Sequence, residues 1–321
     1  VHGLLYVGDD SGGFADDLNL SDEEYDELLC RWTALSSFFP FARNHICLGS
    51  VRVHQPWESP NAAIAARNVL RLRYELLPYI YTQFARAHLA EIGMIIRALY
   101  FDHIDDETAR DVQDQFMFGP AIMVAPINAY QQTSRAVYFP KGCQWYNWFN
   151  GAIMSECGGT SANANSSIED DTIIPLFGKG GQVVVTQEAR LTTKACRETP
   201  ATLTIMYDSS NAEGVATGEL FWDNGNQRQL KTYVRTKYTA GEMGFRAEAT
   251  ATGYKDTLPP IHTLRVYGLG RVPSSVLLAV EDHSPKTQPI VSQNAETGAI
   301  IIDLKSCGLN LSTSFEMSFV H

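Results

Sequence analysis

Apolar and polar positions change their rhythm twice along this chain, and each change marks a different kind of element. Leu4 to Val7 are four apolar residues in a row, followed by Gly8, Asp9, Asp10, Gly12, Gly13 and Phe14. Such a run, ending in glycine and acid, predicts a buried strand that stops at a working surface. An acidic linker follows Phe14. In "SDEEYDELLCRW" and beyond, Leu28, Trp32 and Leu35 recur at helical spacing, and Ser21 with Glu24 forms a capping box, so a helix starts at Ser21. "SSFFPFARNH" predicts a short buried strand that delivers Arg43, Asn44 and His45 at its C-terminal end. "ESPNAAIAARNVLRLRYELLPYIYTQFARAHLAEIG" predicts a long helix with Ser59 as cap, Pro60 in the first position and Gly93 just past the end. Pro78 should kink it.

From Met94 the helical period gives way to short alternating runs, "AIMVAPI", "SRAVYFP", "QWYNWFN" and "GGQVVVTQE", broken by Gly, Pro and Asn. That texture predicts antiparallel β-structure. "SECGGTSANANSS" between them is small and polar and predicts a loop. A second all-β stretch carries "ATLTIMYD", "ATGELFWDNGN", "KTYVRTKY", "TLRVYGL" and "SVLLAVED" as strands. The organisation is the end of an α/β unit followed by two β-domains.

Composition narrows the function. With 321 residues, two or three domains are expected; 45% hydrophobic and 19% charged residues fit packed cores and exclude a disordered chain. A net charge of -11 argues against nucleic acid as a partner, which needs clustered Lys and Arg. No apolar run approaches the roughly 20 residues of a membrane span, so no membrane partner is expected. The first residues lack the pattern of a signal peptide. Six cysteines stand without metal-ligand spacing, so a zinc site is not expected, and no cofactor is implied. Sequons at Asn19, Asn165 and Asn310 point to the secretory path.

Adjacent Asp9 and Asp10 raise the prospect of paired carboxylates for acid and base work. Successive side chains on a strand point to opposite faces, so only one of the two can face a site. A histidine after a strand, such as His45, is read either as a structural residue or as a ligand contact. Trp57 in "HQPWES" reads as a loop anchor, and Trp145, Tyr146, Trp148 and Phe149 as core and not as a sugar-binding face.

"VGDDSGGF", "FFPFARNH", "RLRYELLPYIYT", "DQFMFGPAIMVAPI", "VYFPKGCQWYNWFNG" and "IIPLFGKGGQVV" together resemble the successive motifs of family 31 glycoside hydrolases, the α-glucosidase and α-xylosidase family. The likeness runs in order from Leu4 to Glu188; beyond Ala189 only "GELFWDNGN" looks familial. The resemblance implies the C-terminal part of a (β/α)8 TIM barrel over 1–93, a proximal β-sandwich domain over 94–188 and a distal one over 189–321. A barrel takes about 250 residues, so about six of its eight βα units lie outside this chain. The family's nucleophile and acid/base aspartates also lie outside it, since neither motif occurs here.

By its place in the family pattern, Asp10 matches a pocket aspartate after the seventh barrel strand, Phe14 the sugar-binding wall, and His45 a histidine that bonds hydroxyls of the sugar being cleaved. Arg43 is expected to brace the pocket through an ion pair, and Asp9 to point outward. Many relatives carry a cysteine where Gly12 stands here, paired with the one that Cys30 matches. That bridge is impossible in this chain, which speaks against a strongly oxidising compartment. The implied activity is a retaining α-glycosidase, foremost an α-glucosidase, with an α-linked glucoside or oligosaccharide and the N-terminal remainder of the enzyme as partners. The alternatives are an α-xylosidase of the same family, or a non-catalytic glycan-binding or partner-binding β-sandwich module.

Overall fold

The computed structural model describes residues 4–14, 19–91, 93–210, 214–227, 229–281 and 289–321. The acidic linker predicted after Phe14 lies outside them. Two compact units interleave along the sequence, the first comprising Val1–Arg73, Ile92–Pro140 and Gly159–Leu176, the second Tyr74–Glu91, Lys141–Gly158 and Phe177–His321.

In the first unit the predicted helix runs over Asp22–Ser36 and opens with the expected capping box: Glu24 N–H donates to Ser21 Oγ, and Ser21 N–H to the Glu24 carboxylate. Ser59 likewise caps the helix Pro60–Glu75 by accepting from Ala62 N–H. The two N-terminal strand expectations are met only in part. The hydrogen-bonded pair is short, Asp10–Ser11 parallel to Arg43–Asn44, while Leu4 and Tyr6 are 63% and 67% exposed and outside any ladder. A strand of a parallel sheet draws its burial from neighbours on both sides, and this pair has only itself. Most of "SSFFPFARNH" is turn and bend instead of strand. The guanidinium of Arg73 takes the carbonyls of Ser37, Phe39 and Pro40, which are the acceptors a ladder would need. Phe38 is buried all the same, edge-on to Phe118 at 5.4 Å.

The same unit holds an antiparallel trio, Ile96–Ala98, Phe116–Phe118 and Ile122–Val124. It also holds a two-stranded ladder that the loop reading of "SECGGTSANANSS" missed, Ser134–Phe139 against Thr160–Asn165. Small polar residues look like loop, yet the backbone pairs here, with Val137 and Phe139 on the partner strand and Ala164 on this one buried.

In the second unit the expected kink at Pro78 is a full break. One helix ends at Glu75 and the next covers Leu77–His88, with the proline in its first turn, where a missing N–H costs nothing. This helix closes earlier than Gly93. Glu91 N–H reaches the Arg86 carbonyl and Ala90 N–H the Ala87 carbonyl, with Ala90 in the left-handed region at φ 58°. That is a Schellman closure built on alanine. The helix docks through Thr82 Oγ1, which accepts from Phe221 N–H at 3.0 Å, and through Tyr81, whose hydroxyl donates to Asp223.

That strand belongs to a ten-stranded sheet in the order Ser275–Val280, Phe315–Val320, Gly244–Thr252, Tyr233–Gly241, Ala216–Trp222, Gln182–Gln187, Ala201–Met206, Ile261–Tyr267, Ile300–Asp303, Ile290–Gln293. Alternate residues of these strands share one apolar cluster, from Val183 through Tyr238 and Leu264 to Phe319. A smaller antiparallel group in this unit pairs Trp145–Asn147 with Ile153–Ser155 and with Phe177, Gly178 and Lys179. Trp145 and Tyr146 are fully buried and Trp148 nearly so, as a core reading requires.

Candidate functional site

Two segments of the first unit run side by side from their parallel ladder outward. Asp10 lies opposite Arg43 and Ser11 opposite Asn44, and further on Cys47 N–H donates to the Phe14 carbonyl at 3.0 Å. The sequence permits this close approach because Gly8 has no side chain: a Cβ there would lie 1.8 Å from the Phe41 carbonyl oxygen. Both segments carry their polar residues at the same, C-terminal end, where parallel barrels build their sites.

The structure brings the four predicted residues together as two pairs. Arg43 Nε donates to Asp10 Oδ1 at 2.6 Å, and the guanidinium carbon also sits 5.3 Å from the Phe41 ring. An ion pair this open to solvent adds little stability; its effect is to fix where both side chains point. Phe14 and His45 form the second pair, their rings 5.7 Å apart and tilted by 32°. Both are exposed, so an apolar ring edge and an imidazole with a donor and an acceptor stand next to one another on an open surface. Asp9 is exposed, whereas Asp10 is half-buried in its ion pair.

Below this surface lies a residue that sequence reasoning missed. His54 is only 4% exposed, and its Nδ1 makes a 2.9 Å hydrogen bond with the His45 carbonyl. The carbonyl accepts, so Nδ1 carries the proton. In return, Asn44 Nδ2 donates to the His54 carbonyl at 2.7 Å. The two bonds clasp the loop between residues 45 and 54 at its base. Room for the imidazole comes from Gly12, at φ 97°, where a Cβ would fall 2.7 Å from the ring. Tyr25 lies 6.0 Å away on the ring, and the Arg52 guanidinium covers Tyr25 at 4.3 Å. The only signal in the sequence was a second histidine in "HQPWES". Trp57 in that stretch is 75% exposed in the short turn Pro56–Glu58, so it does not anchor the loop as expected.

Cys30 is fully buried as a free thiol, and burial, aided by the neighbouring Asp26, pushes its pKa up to about 12. Among the described residues no cluster of three His, Cys, Asp or Glu could hold a metal ion, and no helix is long and apolar enough to cross a membrane.

Comparison with known proteins gives the family of the chain. The glycosyl hydrolases family 31 TIM-barrel domain matches residues 1–83, and the glycosyl hydrolase family 31 C-terminal domain matches residues 93–184. An alpha-glucosidase of Aspergillus niger is 33% identical over 282 residues, covering 87% of this chain and 27% of that protein. Intestinal sucrase-isomaltase of Oryctolagus cuniculus is 30% identical over 99% of this chain and 17% of its own length. The chain thus spans about a quarter or less of the length of these relatives. Among solved structures, the glucosidase II alpha subunit superposes with a TM-score of 0.82 at 23% identity, over 99% of this chain and 34% of that one. A family 31 alpha-xylosidase of Xanthomonas citri gives 0.66 at 27% identity, over 80% of this chain and 28% of its own. Matched across both its barrel segment and the domain that follows, the chain belongs to glycoside hydrolase family 31.

Proposed function

We propose that this chain is the C-terminal portion of a retaining α-glucosidase that hydrolyses terminal α-linked glucose. In the assembled enzyme an upstream aspartate attacks the anomeric carbon, and another protonates the leaving oxygen and then activates water. Asp10, Phe14, Arg43 and His45 contribute the pocket wall. His45 bonds sugar hydroxyls, Phe14 packs beside the ring, and Arg43 holds the Asp10 carboxylate in place. The observation that carries this reading is the convergence of these residues at the C-terminal ends of two parallel strands, with the ion pair already made at 2.6 Å. The alpha-glucosidase relatives support glucose as the sugar.

The remainder of the barrel is the partner this reading requires. Exposed Leu4, Tyr6, Leu48 and Val51 around the short strand pair support it, since an apolar face of this kind needs a cover. The family matches, over 1–83 and 93–184, support a barrel piece over 1–93 and a proximal β-sandwich over 94–188; the residues that follow, 189–321, form the distal one in this reading.

Kinetics on the enzyme carrying the upstream barrel test the proposal. Release of nitrophenol from the α-glucoside should exceed release from the α-xyloside, and the 321-residue chain alone should release neither. A preference for the xyloside would favour the second reading, an α-xylosidase, which the Xanthomonas citri relative supports. Sustained glucose release by the isolated chain would overturn the assignment of the catalytic carboxylates to upstream sequence.

A further inference from the structure

After strand Ala216–Trp222 the second unit turns through Asp223, Asn224, Gly225 and Asn226, beside a cavity of about 780 Å³. That volume is within the range of sites that enclose small ligands, about 300 to 1,000 Å³. The turn is held rigidly from beneath. Asp223 is fully buried, and its Oδ1 accepts from the Tyr81 hydroxyl at 2.9 Å and from Gly225 N–H at 2.7 Å. Asn224 Oδ1 accepts from Asn226 N–H at 3.0 Å, which closes the turn and leaves both amide side chains on the cavity wall.

A second rigid element faces them. The guanidinium carbon of Arg197 sits 3.9 Å from the centre of the Trp222 ring, and the guanidinium donates to the Asp223 carbonyl. Its planar donor fork is therefore fixed before any ligand arrives, and less freedom is lost when it binds. Tyr254, half-buried, supplies an aromatic wall. Among the described residues of the lining the charges cancel, Lys194 and Arg197 against Glu198 and Asp256. Among the described residues Lys194, Glu198 and Asp256 form no ion pair. A lining with no net charge, rich in amides, carboxylates and fixed N–H donors around an aromatic wall, fits a neutral molecule bearing many hydroxyls and suits neither an anion nor a cation.

We propose that this cavity binds a neutral oligosaccharide of α-linked glucose. The choice of sugar and linkage rests on the α-glucosidase reading; the choice of a neutral polyhydroxyl ligand rests on the lining alone. Arg197, Asn224 and Asn226 bond hydroxyls, and Tyr254 packs against a sugar face.

The test is titration of the 321-residue chain with maltopentaose, followed by amide and side-chain NMR shifts. Saturable shifts at Asn224, Asn226 and the Trp222 indole are expected, weakened at least about tenfold in Asn226→Ala, on the exposed rim, and in Tyr254→Leu, which keeps an apolar side chain against the core that Tyr254 packs on. Absence of saturable shifts, or shifts unmoved by both variants, overturns the proposal, as does equal binding of a charged oligosaccharide. The two readings fail separately. Full-length α-glucosidase activity without maltopentaose binding by the chain removes this site alone. Binding here without α-glucosidase activity in the full-length enzyme removes the activity and leaves the site.

Discussion

His54 holds the backbone of His45: the imidazole Nδ1 of the one donates to the carbonyl of the other at 2.9 Å, out of solvent, beneath an exposed ring. Support and exposure are thereby split between two histidines nine positions apart. The exposed one is free to meet a ligand because the buried one fixes its main chain. Substitutions at the two should therefore have opposite signatures.

His45→Ala in the complete enzyme should leave the thermal midpoint unchanged, since the side chain is exposed. Loss of one or two hydrogen bonds to sugar hydroxyls costs about 2 to 4 kcal/mol, or roughly 30- to 1000-fold in kcat/KM, with kcat falling as well as KM rising. Steady-state kinetics and a thermal melt on one preparation decide it. A destabilised variant with normal kinetics would remove His45 from the site.

Gly12→Ala should destabilise the first unit. The new Cβ meets the His54 ring at 2.7 Å, and the backbone sits at φ 97°, where L side chains are strained. Together these cost about 2 to 4 kcal/mol. Chemical denaturation measures the cost, and the double variant Gly12→Ala with His54→Ala should recover part of it by removing the clash.

Ala90→Gly should stabilise the second unit by about 0.5 to 1 kcal/mol, because glycine adopts the φ of 58° found there without a Cβ penalty. The gain corresponds to a rise of about 1 to 4 °C in the melting transition of that unit. A fall in the midpoint would mean that the Schellman closure is absent in solution.

Thiol chemistry should follow burial. Cys157 is exposed and should react first with a disulfide reagent, while Cys30 and Cys143, both raised to about 12 by burial, should stay silent near neutral pH until the chain unfolds. The folded state holds these protons more tightly than the unfolded one. The stability they lend is whole below the unfolded thiol value of about 8.5 and is lost as pH climbs toward 12. Denaturation midpoints should hold level up to about pH 8 and fall above it; midpoints rising with alkali would contradict the assignment.

Local signals were readable and long-range ones were not. The capping box of Ser21 and Glu24 and the cap at Ser59 depend on a few neighbouring residues, and each stands where the pattern places it, while the kink expected at Pro78 is a break between two helices. The ladder over Thr160–Asn165 was hidden because much of its burial belongs to Val137 and Phe139 across the pair. The strand expected in "SSFFPFARNH" failed for a similar reason, since the guanidinium that takes its carbonyls comes from Arg73. At the candidate site, an ion pair was expected of Arg43 and a cation or a sugar hydroxyl of Asp10, and the structure makes each the other's partner. His54 was not foreseen, because its role depends on the path of the loop and on the empty space at Gly12.

The placing of Phe315–Val320 between Gly244–Thr252 and Ser275–Val280 sets an order of events during synthesis. Among the described residues Ser275–Val280 pairs with Phe315–Val320 alone, so it leaves the ribosome as an unpaired strand and stays so until residues far downstream have been translated. A stop codon anywhere between the two would strand two bare edges, of the kind on which chains aggregate. Only a chain translated as far as Val320 joins Ser275–Val280 to the rest of the sheet.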